Sequence, residues 1–362
     1  MSNTAYLILE NGMVFEGNYF GAHGDVTGEI VFTTGMTGYL ETLTDQSYHG
    51  QIILQTFPLI GNYGIIPDDF ESSSVGTKAY IVKHPCQEPS NFRSEGNLDT
   101  FLRQKGIIGL YGIDTRALTK IIRKHGVMNG RITSLAPSSI DLKSIKSYSL
   151  HDAVKNVSSS EIKLYKTEFA KYTIALFDFG LKNNIKQELL NRNCNVWVFP
   201  YDSTLQDIIK INPDGIMLSN GPGDPADNTQ IIENLKNFIK TIPTFGICLG
   251  HQLLALANGF KTNKLKFGHR GSNQPVKDTM SGKVYITSQN HGYAVESDSI
   301  DNQKADEWFV NVNDKSCEGI IYKNIPAFSV QFHPEACGGP KDTSFLFDMF
   351  IKIMEDYKNA AR

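Results

Sequence analysis

From Tyr172 onward the chain reads in two alternating periods. "YTIALFDFG" and "NVWVFP" are short, nearly continuous apolar runs, the pattern of strands buried on both faces. "LKNNIKQELLNRN" and "TQIIENLKNFIK" repeat apolar residues every three or four positions, which predicts amphipathic helices. "STLQDIIKINP" predicts a helix closed by proline. "DGIMLSNGPGDP" predicts a strand over 215–219 that runs into a Gly/Pro loop, and "IPTFGICLG" predicts another strand. Alternating strands and helices of these lengths imply a parallel sheet covered on both faces. Such sheets carry their chemistry beyond the carboxyl ends of their strands.

The first half has a different texture. "AYLILENGMVFEG" places two apolar runs around Asn11-Gly12, a two-residue hairpin signal. "GEIVFTTGMTGYLETL" and "QIILQTFPLIGNYG" are further β-branched and aromatic runs broken by glycine. "IDTRALTKIIRKHG" predicts a helix capped by Asp114 or Thr115, with Leu118, Ile121 and Ile122 on one face and Gly126 as its stop. Between 134 and 171 the periodicity fades into serine- and lysine-rich sequence. The predicted organisation is a strand-rich mixed α/β domain over 1–150, a linker over 151–171, and a doubly wound, mostly parallel α/β domain over 172–362.

Composition narrows the partners. The 362 residues suit two domains, and a 40% apolar content suffices for packed cores. A net charge of −3 without long single-sign runs argues against nucleic acid or a membrane surface as partner. Five cysteines (86, 194, 248, 317 and 337) show no pairing pattern, which predicts a reducing, cytoplasmic setting. The N-terminus lacks a signal-peptide pattern, and no apolar run approaches the ~20 residues that span a bilayer.

Candidate chemistry centres on "GICLG", Gly246–Gly250. Its G-x-C-x-G form is similar to the strand–turn–helix bend that exposes the serine of G-x-S-x-G enzymes. A thiol there meets the free N–H groups opening the next helix, and the Leu249 N–H is placed to bind an oxyanion. The motif alone leaves Cys248 open between a packed thiol and a nucleophile. A nucleophilic cysteine needs a base, and the base needs an orienting group. In "AFSVQFHPEA", Phe328, Val330 and Phe332 alternate as a strand, His333 stands at its end, and Glu335 can accept from the far imidazole nitrogen. The loop "LSNGPGDP" brings the backbone N–H groups of Gly221 and Gly223 to the same sheet edge.

Rival readings fail on spacing. G-P-G-D-P-A fits a dinucleotide fingerprint formally, but Pro222 and Pro225 spoil the helix opening that fingerprint needs. No P-loop is present. His333-x-Glu335 mimics a zinc deaminase, yet no P-C-x-x-C follows, and Cys248 with His251 lacks a second pair, so the spacings predict no metal site. Cys337 lacks the flanking strand and helix and reads as structural or incidental.

Taken together, "SNGPGDP", "GICLGHQ", "KFGHRGSNQPV", "QNHGYAV" and "FHPEA" resemble the class I, triad-type glutamine amidotransferases over roughly 172–362. "FTTGMTGYLETLTDQSYHGQIILQTFPLIGNYG" and "GIDTRALTKIIRKHGVMNG" resemble the first domain of the carbamoyl-phosphate synthase small-subunit family. This resemblance implies hydrolysis of glutamine to glutamate and ammonia. The ammonia would pass to a large partner subunit that makes carbamoyl phosphate from bicarbonate. ATP and Mg would belong to that partner, with no cofactor in this chain.

By motif, Cys248 would be nucleophile, His333 base and then acid, and Glu335 the orienting carboxylate. Glutamine contacts would fall on Gly35, Gly221, Gly223, Leu249, Gln252, Asn290, Gly292 and Tyr293, with Gly223 and Leu249 as oxyanion donors. Two positions depart from the family: Gly35 stands where a serine is frequent, and Tyr293 where phenylalanine is frequent. His251, His269 and His291 read as structural or gating groups. Two other functions stay open: an amidotransferase serving another synthase, such as that for anthranilate or GMP, and a non-catalytic scaffold of the same fold.

Overall fold

The computed structural model describes residues 3–360. The chain divides into two compact units, Met1–His151 and Asp152–Arg362.

The first unit is built on a closed seven-stranded barrel. Its strands run in the order Thr4–Leu9, Val14–Gly21, Ile108–Tyr111, Ala79–Val82, Gln51–Gln55, Val26–Thr33 and Met128–Thr133. Closure leaves no unpaired edge to attract other chains. A hairpin opens it where expected, but with a three-residue loop, 10–12, in place of the two-residue turn: Leu9 N–H donates to Met13 O (2.9 Å), Gly12 N–H to Leu9 O (2.9 Å), and Gly12 alone of the loop takes a left-handed φ, 87°. The expected helix spans Thr115–His125. The Asp114 side chain accepts the Ala117 N–H (2.9 Å), Leu118 and Ile122 are buried, and Gly126 ends the helix.

The second unit carries a ten-stranded sheet. Five strands form a parallel core, in the spatial order Cys194–Pro200, Tyr172–Asp178, Gly215–Leu218, Thr244–Ile247 and Ala327–Val330. Beyond Ala327–Val330 the sheet turns antiparallel through Cys317–Tyr322, Ala305–Asn311, Thr262–Asp278 and Val284–Val295. Alternate residues of one strand feed opposite cores, as a strand's period of two requires. Ala175 and Phe177 pack with Leu249, Leu253 and Leu254 on one face. Ile174 and Leu176 pack with Ile185, Leu189, Phe347 and Phe350 on the other. Helices Thr229–Phe238 and Leu249–Ala257 thus cover one face, and Asn183–Leu190 and Phe345–Ala360 the other.

Residues 152–171, expected as linker, are part of this unit. Helix Ala153–Val157 buries Val154 in the core, and strand Lys163–Tyr165 extends the sheet antiparallel to Cys194–Pro200. The serines that suggested a linker instead tie the segment down. Ser159 N–H donates to Asp178 Oδ2 (2.9 Å), and Ser158 Oγ accepts the Tyr201 N–H (3.0 Å).

Candidate active site

Two adjacent parallel strands bring the reacting groups together. Ile247 pairs with Val330, and Cys248 N–H donates to Val330 O (2.9 Å). Cys248 therefore follows one strand, and His333 follows the next by three residues. Cys248 sits between strand and helix with φ 54° and ψ −104°, a conformation that non-glycine residues rarely adopt. The surrounding backbone holds it there. A Cβ on Gly246 would lie 2.7 Å from Gly250 O, and one on Gly250 would lie 2.3 Å from Leu218 O. Only glycine lets strand, bend and helix approach this closely.

The candidate base and the carboxylate expected to orient it are in contact. His333 and Glu335 are both buried, and His333 Nδ1 donates to Glu335 Oε1 (2.7 Å). The His333 backbone N–H donates to Ser288 O (2.9 Å), which anchors the segment past the strand end. Among the described residues His333 Nε2 meets no nitrogen or oxygen partner; the Cys248 sulfur lies near the ring and donates to the Asn290 carbonyl (3.7 Å). Burial and the Lys182 ammonium both push the imidazole pKa down. Glu335 and the nearby Cys248 sulfur outweigh them, and the net shift is upward. Burial pushes the Glu335 carboxyl up, but the His333 and Lys182 charges hold it below the usual value. Both shifts favour an imidazolium–carboxylate pair.

The glycine loop closes on the elbow. A Cβ on Gly221 would lie 2.2 Å from Phe179 O and 2.7 Å from the Leu249 side chain, so the loop backbone rests against the helix start. Gly223 takes φ 90°. The N–H groups of Gly223 and Leu249 find no partner among the described residues, which leaves both donors open.

The remaining expected contacts separate into groups. Asn290, Gly292 and Tyr293 share the strand Val284–Val295, and the Asn290 carbonyl faces the thiol. Gln252 lies on the helix behind Cys248. Its amide donates to the Tyr293 carbonyl (2.7 Å) and Gln331 Oε1 (2.9 Å), so its N–H groups position that strand. Gly35 lies in the first unit, between Val26–Thr33 and Tyr39–Thr44, where its carbonyl accepts from the Gln55 amide.

Among the histidines, His251 is fully buried and bonded to Ser329 Oγ (2.8 Å), a structural bridge from helix to sheet. His269 contacts two carboxylates that sequence reasoning missed, Asp314 (2.8 Å) and Glu318 (3.2 Å). Burial lowers the His269 pKa, but these carboxylates raise it further, to about 9. Only the pairing of Thr262–Asp278 with Val284–Val295 and the nearby Cys317–Tyr322 brings these groups together, and no local spacing signals it. Cys337 is exposed, and the cysteines at 86, 194, 248, 317 and 337 form no disulfide.

A parallel sheet with a glycine-flanked cysteine elbow and a strand-end His–Glu pair defines the class I glutamine amidotransferases, and the family description "Glutamine amidotransferase class-I" matches residues 175–353. A second, "Carbamoyl-phosphate synthase small chain, CPSase domain", matches residues 7–132. The chain is 50% identical over 353 residues to a carbamoyl phosphate synthase small chain of Bacillus thuringiensis subsp. konkukian, covering 97% of this chain and 96% of that one. It is 50% identical over 349 residues to the small chain of Clostridium perfringens, covering 96% and 99%. A pyrimidine-specific small chain of Halalkalibacterium halodurans is 49% identical over 360 residues, covering 98% of each. The chain belongs to the carbamoyl-phosphate synthase small-chain family, the glutamine amidotransferase subunits of that enzyme.

Proposed function

We propose that this chain hydrolyses glutamine through a Cys248–His333–Glu335 triad and delivers the ammonia to a large, ATP-using partner subunit. The observation that carries the reading is the buried His333–Glu335 pair at the end of the strand next to the Cys248 elbow. The Cys248 thiolate attacks the side-chain amide carbon of glutamine, with the proton on His333. The carbonyl π pair moves to oxygen, and the Leu249 and Gly223 N–H groups receive that oxyanion, each donor worth about 3 kcal/mol of barrier. The pair returns, the C–N bond breaks, and His333 gives its proton to the departing nitrogen, releasing ammonia. The glutamyl thioester that remains is attacked by a water that His333 deprotonates, and glutamate leaves as the thiol reforms. Glu335 keeps the imidazole in one orientation throughout.

Only neutral ammonia is a nucleophile, and bulk water protonates it. A closed passage into the partner is the physical answer. We assign ATP, Mg and bicarbonate to that partner, none to this chain, and place the reaction in the cytoplasm, which suits five cysteines outside any disulfide. Among the described residues no helix is long and apolar enough to cross a membrane. The test is Cys248→Ser in the assembled enzyme. Synthesis from glutamine is expected to vanish while synthesis from added ammonia persists. Equal loss of both would remove Cys248 from the assigned role.

A further inference from the structure

We propose that His269, His291 and Glu318 form a divalent transition-metal site of the zinc class, separate from the Cys248–His333–Glu335 triad. His269 and His291 stand opposite one another in the antiparallel ladder, their rings 4.9 Å apart edge to face. Glu318 enters from the strand Cys317–Tyr322. One donor atom from each of the three lies within 4.8 Å of the others, and all three residues are buried. Donors around a tetrahedral zinc, at metal distances of 2.0–2.1 Å, stand about 3.4 Å apart. Small side-chain rotations close that difference.

The surrounding hydrogen bonds point to a ligand. Metal-binding histidines characteristically donate their second ring N–H to a carboxylate or backbone carbonyl. His269 Nε2 does so to Asp314 Oδ2 (2.8 Å), and His291 Nδ1 does so to the Tyr293 carbonyl (2.8 Å). That assignment leaves lone pairs on His269 Nδ1 and His291 Nε2. His269 Nδ1 lies 3.2 Å from Glu318 Oε1, an ion pair while the ring is protonated and a lone pair facing a carboxylate once that proton is displaced. His291 Nε2 lies 3.1 Å from Gln289 Oε1, which has no proton to offer. Turning the Gln289 amide over does not help, because its nitrogen is spent on Glu318 Oε2 (3.0 Å) and Thr287 Oγ1 (3.2 Å). A cation that displaces the His269 proton would meet that lone pair together with the His291 Nε2 lone pair, which faces only oxygen, and Gln289 Oε1 supplies a fourth donor. The Glu318 carboxylate is held in turn by Asn311 Nδ2 (3.1 Å). Glu318 and Asp314 together balance a doubly charged ion, as burial of charge requires.

With no position open to water, the role is structural. The ion clamps three strands, one of which carries Asn290, Gly292 and Tyr293. Its removal should raise KM for glutamine more than it lowers kcat, an expectation that alone rests on the proposed glutaminase reading.

The experiment uses the full chain with Cys248→Ser, which removes the thiol against the Asn290 carbonyl; sulfur in the bound ion's shell would reveal capture by another cysteine, such as the exposed Cys337. After chelator treatment, zinc is titrated by calorimetry and the bound ion is read by X-ray absorption. One equivalent with two imidazoles and an oxygen shell is the expected result. The same titration on C248S with Glu318→Gln, or with His269→Asn, should lose that binding in whichever double variant stays folded by circular dichroism. No stoichiometric zinc on folded C248S, or a different ligand set, would overturn the site and leave a proton on His269 as what closes the cluster. Undiminished binding in a folded double variant would overturn it equally. None of these readouts depends on glutamine hydrolysis.

Discussion

Gly250→Ala tests whether close backbone approach at the cysteine bend is what aims the nucleophile. The added Cβ would meet Leu218 O at 2.3 Å, its carbonyl carbon at 2.7 Å and the Leu218 Cβ at 2.7 Å. Two of these three atoms are backbone in a central parallel strand, so no side chain can simply rotate away. Relief to an ordinary contact of about 3.4 Å requires the start of helix Leu249–Ala257 to move by roughly 1 Å. That motion strains the hydrogen bond from Gly250 N–H to Ser219 O (3.0 Å) and carries Leu249 N–H and the Cys248 sulfur with it. Overpacking of this kind costs about 1–3 kcal/mol, or roughly 2–12 °C of Tm for a unit of this size. A 1 Å displacement at a reacting centre costs about 100-fold in rate. The assays are thermal unfolding of the full chain and glutamate release by the assembled enzyme, with ammonia-driven synthesis as the control that should survive. A variant with parental Tm and parental glutaminase rate would refute the steric argument. A lowered Tm with an unchanged rate would show that the bend tolerates movement and that its geometry does not govern catalysis.

Three further outcomes follow from the same structure. Glu335→Gln keeps the shape but removes the charge that favours the His333 imidazolium, so kcat for glutamine hydrolysis should fall about 10²–10⁴-fold with KM little changed; a loss under tenfold would deny Glu335 its role. His251 is held by burial at about 3, against about 6.5 when unfolded, so below pH 6.5 the unfolded chain takes a proton that the folded chain refuses. Its contribution is full above pH 6.5 and falls by about 2.7 kcal/mol on acidification to pH 4.5, so urea titrations of parent and His251→Gln should diverge over that window and run parallel above it. Asp114→Ala removes the cap on Ala117 N–H and should cost about 1 kcal/mol in thermal or urea unfolding, with glutamine hydrolysis unchanged.

The parts legible in the sequence were those whose signals are local. Asn11-Gly12, the Asp114 cap and the Gly246–Gly250 bend each depend on a few adjacent residues; the cap and the bend form as expected, and the hairpin forms with one more residue in its loop than the Asn-Gly signal implied. The five parallel strands were legible because burial on both faces leaves nearly unbroken apolar runs. The antiparallel half of the sheet was not. Thr262–Asp278 spends much of its length exposed or half-buried, and its ladder slips register between Lys264 and His269 and again between Gly271 and Gln274. No uniform period survives two such shifts. Closure of the first unit was hidden as well, because barrel closure depends on pairing between distant strands. The carboxylates around His269 come from a strand and turn far along the chain, so only folding reveals them.

That division of the sheet separates two jobs. The groups proposed to make and break bonds stand on the parallel core, whose ladders fix Cys248 beside the His333 segment. Three of the eight residues expected to read the substrate, Asn290, Gly292 and Tyr293, hang on the outer hairpin of Thr262–Asp278 and Val284–Val295, joined to the core by the ladder through Ala305–Asn311, the His333 N–H to Ser288 O bond and side-chain ties such as Gln252 to the Tyr293 carbonyl. Sequence change in the hairpin can therefore alter which molecule is admitted, or how tightly it is gripped, while the nucleophile and its base stay in place. Recognition and bond-making can drift independently in such an enzyme, and the hairpin is where divergence should accumulate first.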